Sequence, residues 1–445
     1  MITRDLKNII KYNKAKERSG IYSVCSSNPF VLKAVMKQAQ SDDSLILIES
    51  TSNQVDQFGG YTGMTPQKFV EYVNQIAKES SFPEDKIILG GDHLGPNVWQ
   101  DRDASEALTL AEEQVRAYVR AGFLKIHLDA SMALGGDRQN ENSLINQELI
   151  ASRTAKLCAA AEDELQNMPM CDLKPLYIIG SEVPLPGGAV RALEDICITR
   201  GEEVEETYYQ TKNAFEKLNL QDAWQRVIAM VVQPGVEFSD TQISVYNSKK
   251  TQDIVSKIKN FNGIAFEAHS TDYQEKDSLR QMVEDHCAIL KVGPWLTFAL
   301  REALFALESM EKEWHGLKRT VRLSELQNTI EFIMKEKPKY WQKHYHGNDE
   351  QLAFARKYSY SDRIRYYWSQ PEIKSAVDTL IKNLNREAPS LNLVSQFMPV
   401  QYSHIRDGTI ENNPLSFIYD KIKEVTSVYS YATDKNGAAV NLEDK

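Results

Sequence analysis

Apolar residues in the first two-thirds of the chain gather into eight short runs: Gly20–Ser27, Leu45–Ser50, Lys86–His93, Lys125–Ala130, Pro175–Glu182, Arg226–Gln233, Gly263–His269 and Cys287–Gly293. Each has the length of a strand, and the segments between them are long enough for a helix and a loop. Helix starts are legible at Asn28-Pro29 and Thr65-Pro66, where a capping side chain precedes a proline. Eight strands alternating with helices predict an α/β fold, a parallel TIM (β/α)8 barrel. Beyond Glu311 the pattern turns helical and aromatic, with Tyr340-Trp341, Tyr358 and Tyr366-Tyr367-Trp368. This predicts a barrel with a helical lead-in over 1–310 and a helical C-terminal extension and tail over 311–445. The aromatics of the extension are expected to pack against the barrel or a partner subunit rather than to line a site.

Several runs end in residue types that do chemistry. In Lys125-Ile126-His127-Leu128-Asp129 one face is apolar, so His127 and Asp129 should point into the barrel; Glu267 and His269 follow the same alternation. Charge inside a barrel needs a reason, and a metal or a polar substrate supplies one. His93 and His269 are the leading metal ligands, Glu182 is the third and Asp129 the reserve, a set suited to zinc or a neighbouring divalent ion. Asp92 and His93 are adjacent, so both reach one site only if the strand bends. Gly90-Gly91 and Gly95 make such a bend easy. Asp92 would then be a general acid or base, or else a carboxylate that orients its neighbour.

A phosphate could bind at Ser270-Thr271-Asp272 and Lys291-Val292-Gly293, with amides from a helix starting near Trp295. Lys291 reads equally as an interior partner for Glu267. Neither G-x-x-x-x-G-K-[ST] nor G-x-G-x-x-G occurs, so nucleotide chemistry has no support.

The formal charge of -10 argues against nucleic-acid or anionic-membrane binding. The five cysteines form no C-x-x-C pair, which suits reduced thiols. With no signal-peptide pattern and no apolar run near the roughly 18 residues of a membrane span, a cytoplasmic location is expected.

The stretches Ser23-Val24-Cys25-Ser26, Glu49–Gln54 (ESTSNQ), Gln57–Pro66 (QFGGYTGMTP), Ile88–Pro96 (ILGGDHLGP), Lys125–Ser131 (KIHLDAS), Val232–Phe238 (VQPGVEF), Glu267–Gln274 (EAHSTDYQ), Leu290–Arg301 and Ser359–Trp368 (SYSDRIRYYW) closely resemble one family. It is the Z-type subunit of class II tagatose-1,6-bisphosphate aldolase, from galactitol and N-acetylgalactosamine catabolism. The resemblance implies an accessory, stabilising subunit for a catalytic Y-type partner, with homo-oligomers also possible in such a family.

The chain is also similar, distantly, to the class II aldolases themselves. That likeness implies Asp92 as the catalytic acid or base, His93 and His269 as metal ligands, and Glu182 as a carboxylate near the metal. Those enzymes carry a further metal histidine at the end of strand six, whereas Ala229–Pro234 has none; either Glu182 substitutes or metal binding is weaker. The cofactor implied is a divalent ion, zinc first, with Mn, Co, Ni or Mg as alternatives. Expected contacts to a ketohexose (bis)phosphate are Asn28 and Gln54 after the first two strands, His127, Asp129 and Ser131 after the fourth, and Ser270, Asp272, Lys291 and Gly293 after the last two. The alternative function is a stand-alone, metal-dependent ketohexose-phosphate 4-epimerase. It would convert fructose 6-phosphate to tagatose 6-phosphate by retro-aldol and aldol steps.

Overall fold

All eight apolar runs become neighbouring strands of one closed parallel sheet. The computed structural model describes residues 2–15, 17–137, 145–168, 174–180, 196–316, 318 and 321–434. The barrel strands are β1 (Ile21–Val24), β2 (Ile46–Thr51), β3 (Ile87–Leu94), β4 (Lys125–Leu128), β5 (Leu176–Gly180), β6 (Val227–Val232), β9 (Ala265–Ala268) and β10 (Cys287–Val292). Two short strands, β7 (Glu237–Phe238) and β8 (Ile243–Ser244), form a hairpin after β6. Each barrel strand pairs in parallel with its sequence neighbour, and β10 closes on β1 through Ile21↔Ile289 to Val24↔Val292. The fold is the expected TIM barrel with extra C-terminal helices.

Alternation along each strand sorts its side chains. Ile126, Leu128, Phe266 and Ala268 belong to the outer core between strands and helices. Leu47, Ile88, Ile178, Val231 and Ile289 fill the lower barrel, joined by Leu6 and Ile10 from the first helix, Ile2–Lys14. That helix plugs the bottom of the barrel, and Asn13 fixes its end by donating to the carbonyls of Ser19 and Val283.

The aromatic segments pack as anticipated for the most part. The helix Pro414–Thr433 lies against the helices Pro29–Asp42, Lys276–Glu284 and Pro294–His315 and reaches β1. Its Tyr429 hydroxyl donates to the Thr271 carbonyl, and Gly20 donates its amide to Thr433. The outer core therefore runs from Tyr22 to Ala432 without a break. The four described cysteines, Cys25, Cys158, Cys197 and Cys287, are free. Among the described residues no helix is long and apolar enough to cross a membrane.

Candidate active site

The upper barrel holds charge where a barrel of this size normally holds branched apolar side chains. Lys125 is fully buried, with Nζ 2.7 Å from Glu49 Oε1 and 2.6 Å from Glu267 Oε2. Lys291 Nζ lies 2.5 Å from Glu49 Oε2 and 3.0 Å from Asp92 Oδ1. Two lysines thus bridge three carboxylates across the barrel. Removing any member would leave a buried charge without its partner, so the network specifies these residue types strongly.

Above this layer β3 bends. Its pairing with β4 slips between Gly91 and Leu94, and His93 sits at φ 50°, in the left-handed region. The bend brings Asp92 and His93 to the same site. The flanking glycines are required by space: a Cβ on Gly90 would meet Glu49 Cγ at 2.7 Å, and one on Gly95 would meet the Asp129 carbonyl at 1.7 Å.

Three imidazoles then gather. Ring centroids are 4.8 Å apart for His93 and His269, 5.1 Å for His93 and His127, and 5.2 Å for His127 and His269. Each ring has a carboxylate at one nitrogen. Asp129 Oδ2 is 2.8 Å from His93 Nδ1, Glu267 Oε1 is 2.9 Å from His269 Nε2, and Asp92 Oδ1 is 3.1 Å from His127 Nδ1. For His93 and His269, a carboxylate that accepts the N–H of one ring nitrogen leaves the other with a free lone pair, the usual arrangement of metal-ligating histidines; His127 Nδ1 also accepts the His93 backbone amide at 3.2 Å. His127 Nε2 is buried and has no hydrogen-bond partner.

Three imidazoles around one tetrahedral ion at about 2.0–2.1 Å place their ring centres about 5 Å apart, the spacing seen here. Donor atoms of Asp92, His127, Glu267 and His269 all lie within 4.8 Å of one another, whereas those of His93 fall outside this tighter set. The cluster is compatible with a divalent metal. A second grouping, Cys25, Glu49 and Asp92, adjoins it.

Electrostatics match this arrangement. Burial alone would raise the Asp92 pKa, but the charge of His93 and Lys291 and the hydrogen bond from His127 hold it well below the usual carboxylate range. Burial pushes His269 down to about 3 against the pull of Glu267, so its ring is neutral at physiological pH. Burial would likewise lower His93, and there Asp92 and Asp129 outweigh it and raise the pKa.

The site opens into a pocket lined by Asp92, His93, His269 and Lys291, with Gln54, Ser270, Asp272 and Gly293 among the expected contacts. Other expected residues do different work. Asn28 caps the helix Pro29–Asp42, accepting the Phe30 amide at 3.0 Å, and does not line the pocket. Ser131 donates its hydroxyl to Asp129 at 2.6 Å, so it steadies the carboxylate that holds His93. His127 and Asp129 lie beneath the pocket surface. Glu182, expected both as a catalytic group and as a metal ligand, lies outside the described residues.

Three expectations need correction. Lys291 pairs with Glu49 and Asp92 rather than with Glu267, and it still lines the pocket. The helix start near Trp295 is already taken: Asp272 Oδ1 accepts the amides of Gly293 and Trp295 at 3.0 and 2.8 Å. Burial raises that carboxyl to about 6 against those two bonds. The extension also does more than pack, since Arg365 and Tyr366 line the pocket.

Glu49 was missed. Its signal was available, because it shares a face with Leu47 in the second run.

Among solved structures the chain is similar to "a probable tagatose 6 phosphate kinase" from Sinorhizobium meliloti 1021, at 40% identity and a TM-score of 0.84, over 93% of this chain and 100% of that one. It also matches a fructose-bisphosphate aldolase from Campylobacter jejuni (14% identity, TM-score 0.44, 86% of this chain and 92% of that one). The YdjI aldolase from Escherichia coli K12 is similar at 12% identity and a TM-score of 0.41, over 85% of this chain and 95% of that one. Both aldolases are too distant to speak to the site. The model of the D-tagatose-1,6-bisphosphate aldolase subunit GatZ/KbaZ-like family matches residues 6–434, and the chain belongs to that family.

Proposed function

We propose that this chain is a divalent-metal enzyme in its own right, acting on a ketohexose phosphate, most simply as a 4-epimerase. The observation that carries this reading is the set of three buried histidines, each backed by a carboxylate, beside the ionised Asp92. A barrel with only a structural role gains nothing from burying them. His93 and His269 would hold the ion, zinc first, each through the nitrogen left free by its carboxylate, with His127 completing the set of rings around it. When bound there, a divalent cation supplies Lewis acidity for the C2 carbonyl of the ketose.

The chain's own residues account for the proton. Asp92 takes it from the C4 hydroxyl as the C3–C4 bond opens and the electron pair passes into the C2–C3 enediolate. Lys291, 3.0 Å away, keeps the Asp92 carboxylate ionised before that step. Rotation of the aldehyde fragment, re-addition to its other face and return of the proton by Asp92 invert C4.

The test is to incubate the purified chain with fructose 6-phosphate and zinc, manganese, cobalt, nickel or magnesium. Tagatose 6-phosphate should form, and should vanish with EDTA and in Asp92→Asn. No interconversion with any of these metals would sink the reading.

A second reading is favoured by the family description, which names a subunit: a stabilising accessory of a Y-type aldolase in galactitol catabolism. Exposed Phe332, Phe354 and Tyr358 on the extension would suit such a partner. Negligible lyase activity alone and a large gain on co-expression with a Y-type subunit would support it. A cytoplasmic location fits either reading.

A further inference from the structure

We propose that Arg365, delivered by the C-terminal extension, is the seat for the oxyanion at the far end of the substrate. The proposal rests on the ketose-phosphate reading for the identity of that substrate, but not for the existence of an anion seat. Ser359–Trp368 is the one long motif outside the barrel, and its residues close the pocket from above.

The pocket's other formal cation is committed, because Lys291 is neutralised by Glu49 and Asp92. The amides at the start of the helix Pro294–His315 are committed to Asp272. Arg365 differs from both. Its hydrogen bonds go to the carbonyls of Ser361 and Asp362 and to the Tyr366 hydroxyl at 3.0 Å, and among the described residues it makes no ion pair. A guanidinium fork with no carboxylate in ion-pair contact, Asp272 and Asp362 acting on it only from further off, matches the geometry of phosphate or carboxylate oxygens.

The arginine is held in place rather than left to swing. Its guanidinium carbon sits 4.5 Å from the Tyr366 ring centre, and that ring stacks on Tyr340 and meets Tyr61 edge-on. The turn that presents it is strained: Asp362 sits at φ 42°. Thr297 holds the Asp362 carboxylate at 2.5 Å, the Tyr345 hydroxyl accepts the Arg363 amide, and Tyr273 donates to the Tyr360 carbonyl at 2.6 Å. Strain maintained by contacts from several elements is typical of a ligand clamp. A sugar phosphate and a sugar acid share the oxyanion that this clamp would read.

Inorganic phosphate and acetate, titrated calorimetrically into the full chain, separate these sources. Phosphate bound by the native protein and at least tenfold more weakly by Arg365→Gln assigns a phosphate ester. The same pattern with acetate alone assigns a carboxylate, and either result supports the seat. Arg365→Lys, which keeps the charge without the fork, should fall between native and Arg365→Gln. Tyr366→Phe, which frees the guanidinium, should weaken binding several-fold and serves if Arg365→Gln does not fold. Equal affinity in native and variant proteins, or no binding of either anion by the native chain, overturns the proposal. A purely structural arginine would lower stability without changing anion affinity, which is also an overturning result. The probes contain no ketose, so absent epimerisation with intact phosphate binding would count against the proposed function alone.

Discussion

His93 and His269 come from opposite sides of the barrel and meet edge to face, with ring centroids 4.8 Å apart. Each is held from behind by a carboxylate, Asp129 for His93 and Glu267 for His269. If His93 ligates a metal through Nε2, Asp129 fixes its ring and raises its basicity. Asp129→Asn should then weaken zinc binding by about ten- to a hundredfold while leaving the fold intact. Equilibrium dialysis with elemental analysis measures this. Unchanged affinity would remove His93 from the ligand set and leave the ion with His127 and His269.

The lysine beneath those rings makes a stability prediction. Lys125 is the shared partner of Glu49 and Glu267, and all three are fully buried. Lys125→Met fills similar space but leaves Glu267 without a lysine, while Glu49 keeps Lys291. Breaking a buried ion pair from one side costs about 3–5 kcal/mol. Denaturant unfolding should show a loss of that order, partly restored when Glu267→Gln is added, because the stranded charge is then removed.

Gly95 permits the bend that brings Asp92 and His93 together. A Cβ there would sit 1.7 Å from the Asp129 carbonyl, a distance that only movement of the backbone can relieve. Gly95→Ala should therefore be strongly destabilising and should displace Asp129 from His93. Gly122→Ala is the control: φ is 86° but the space is open, so only about 1 kcal/mol of conformational cost applies. A thermal melt in which both variants behave alike would refute the steric argument.

The period-two pattern made the strands and the inward faces of β4 and β9 legible, because a strand offers only two faces and one was visibly apolar. His127, Glu267 and His269 followed from that rule. Glu49 obeys it as well, yet a single carboxylate after Leu-Ile-Leu-Ile reads as a strand end. Lys291 was ambiguous because its partners sit on β2 and β3, which only barrel closure brings near. Arg365 was hidden for a stronger reason. No local periodicity tells a helical extension which of its turns will fold back over a barrel mouth, and that depends on contacts such as Thr297 with Asp362.

The plug at the barrel's lower end gives a pH prediction. His286 is buried with Nδ1 3.2 Å from Asn13 Oδ1, at the end of the first helix. Burial, followed by the charges of Lys14 and Lys259, lowers its pKa to about 4. The unfolded chain has an ordinary histidine there, with a pKa of about 6.5. Above that value neither state carries the proton and the group is neutral in its effect. As pH falls from about 6.5 towards 4, the unfolded state binds the proton and the folded state does not, so stability drops by up to about 1.4 kcal/mol per pH unit. A total on the order of 3 kcal/mol should be lost through this one ring. His269 loses stability in the same direction, so the comparison must be made between native protein and His286→Gln. Denaturant midpoints at pH 7 and pH 4.5 should differ less in the variant, whose amide can still donate to Asn13, than in the native protein. Parallel pH profiles for the two proteins would show that the plug does not titrate.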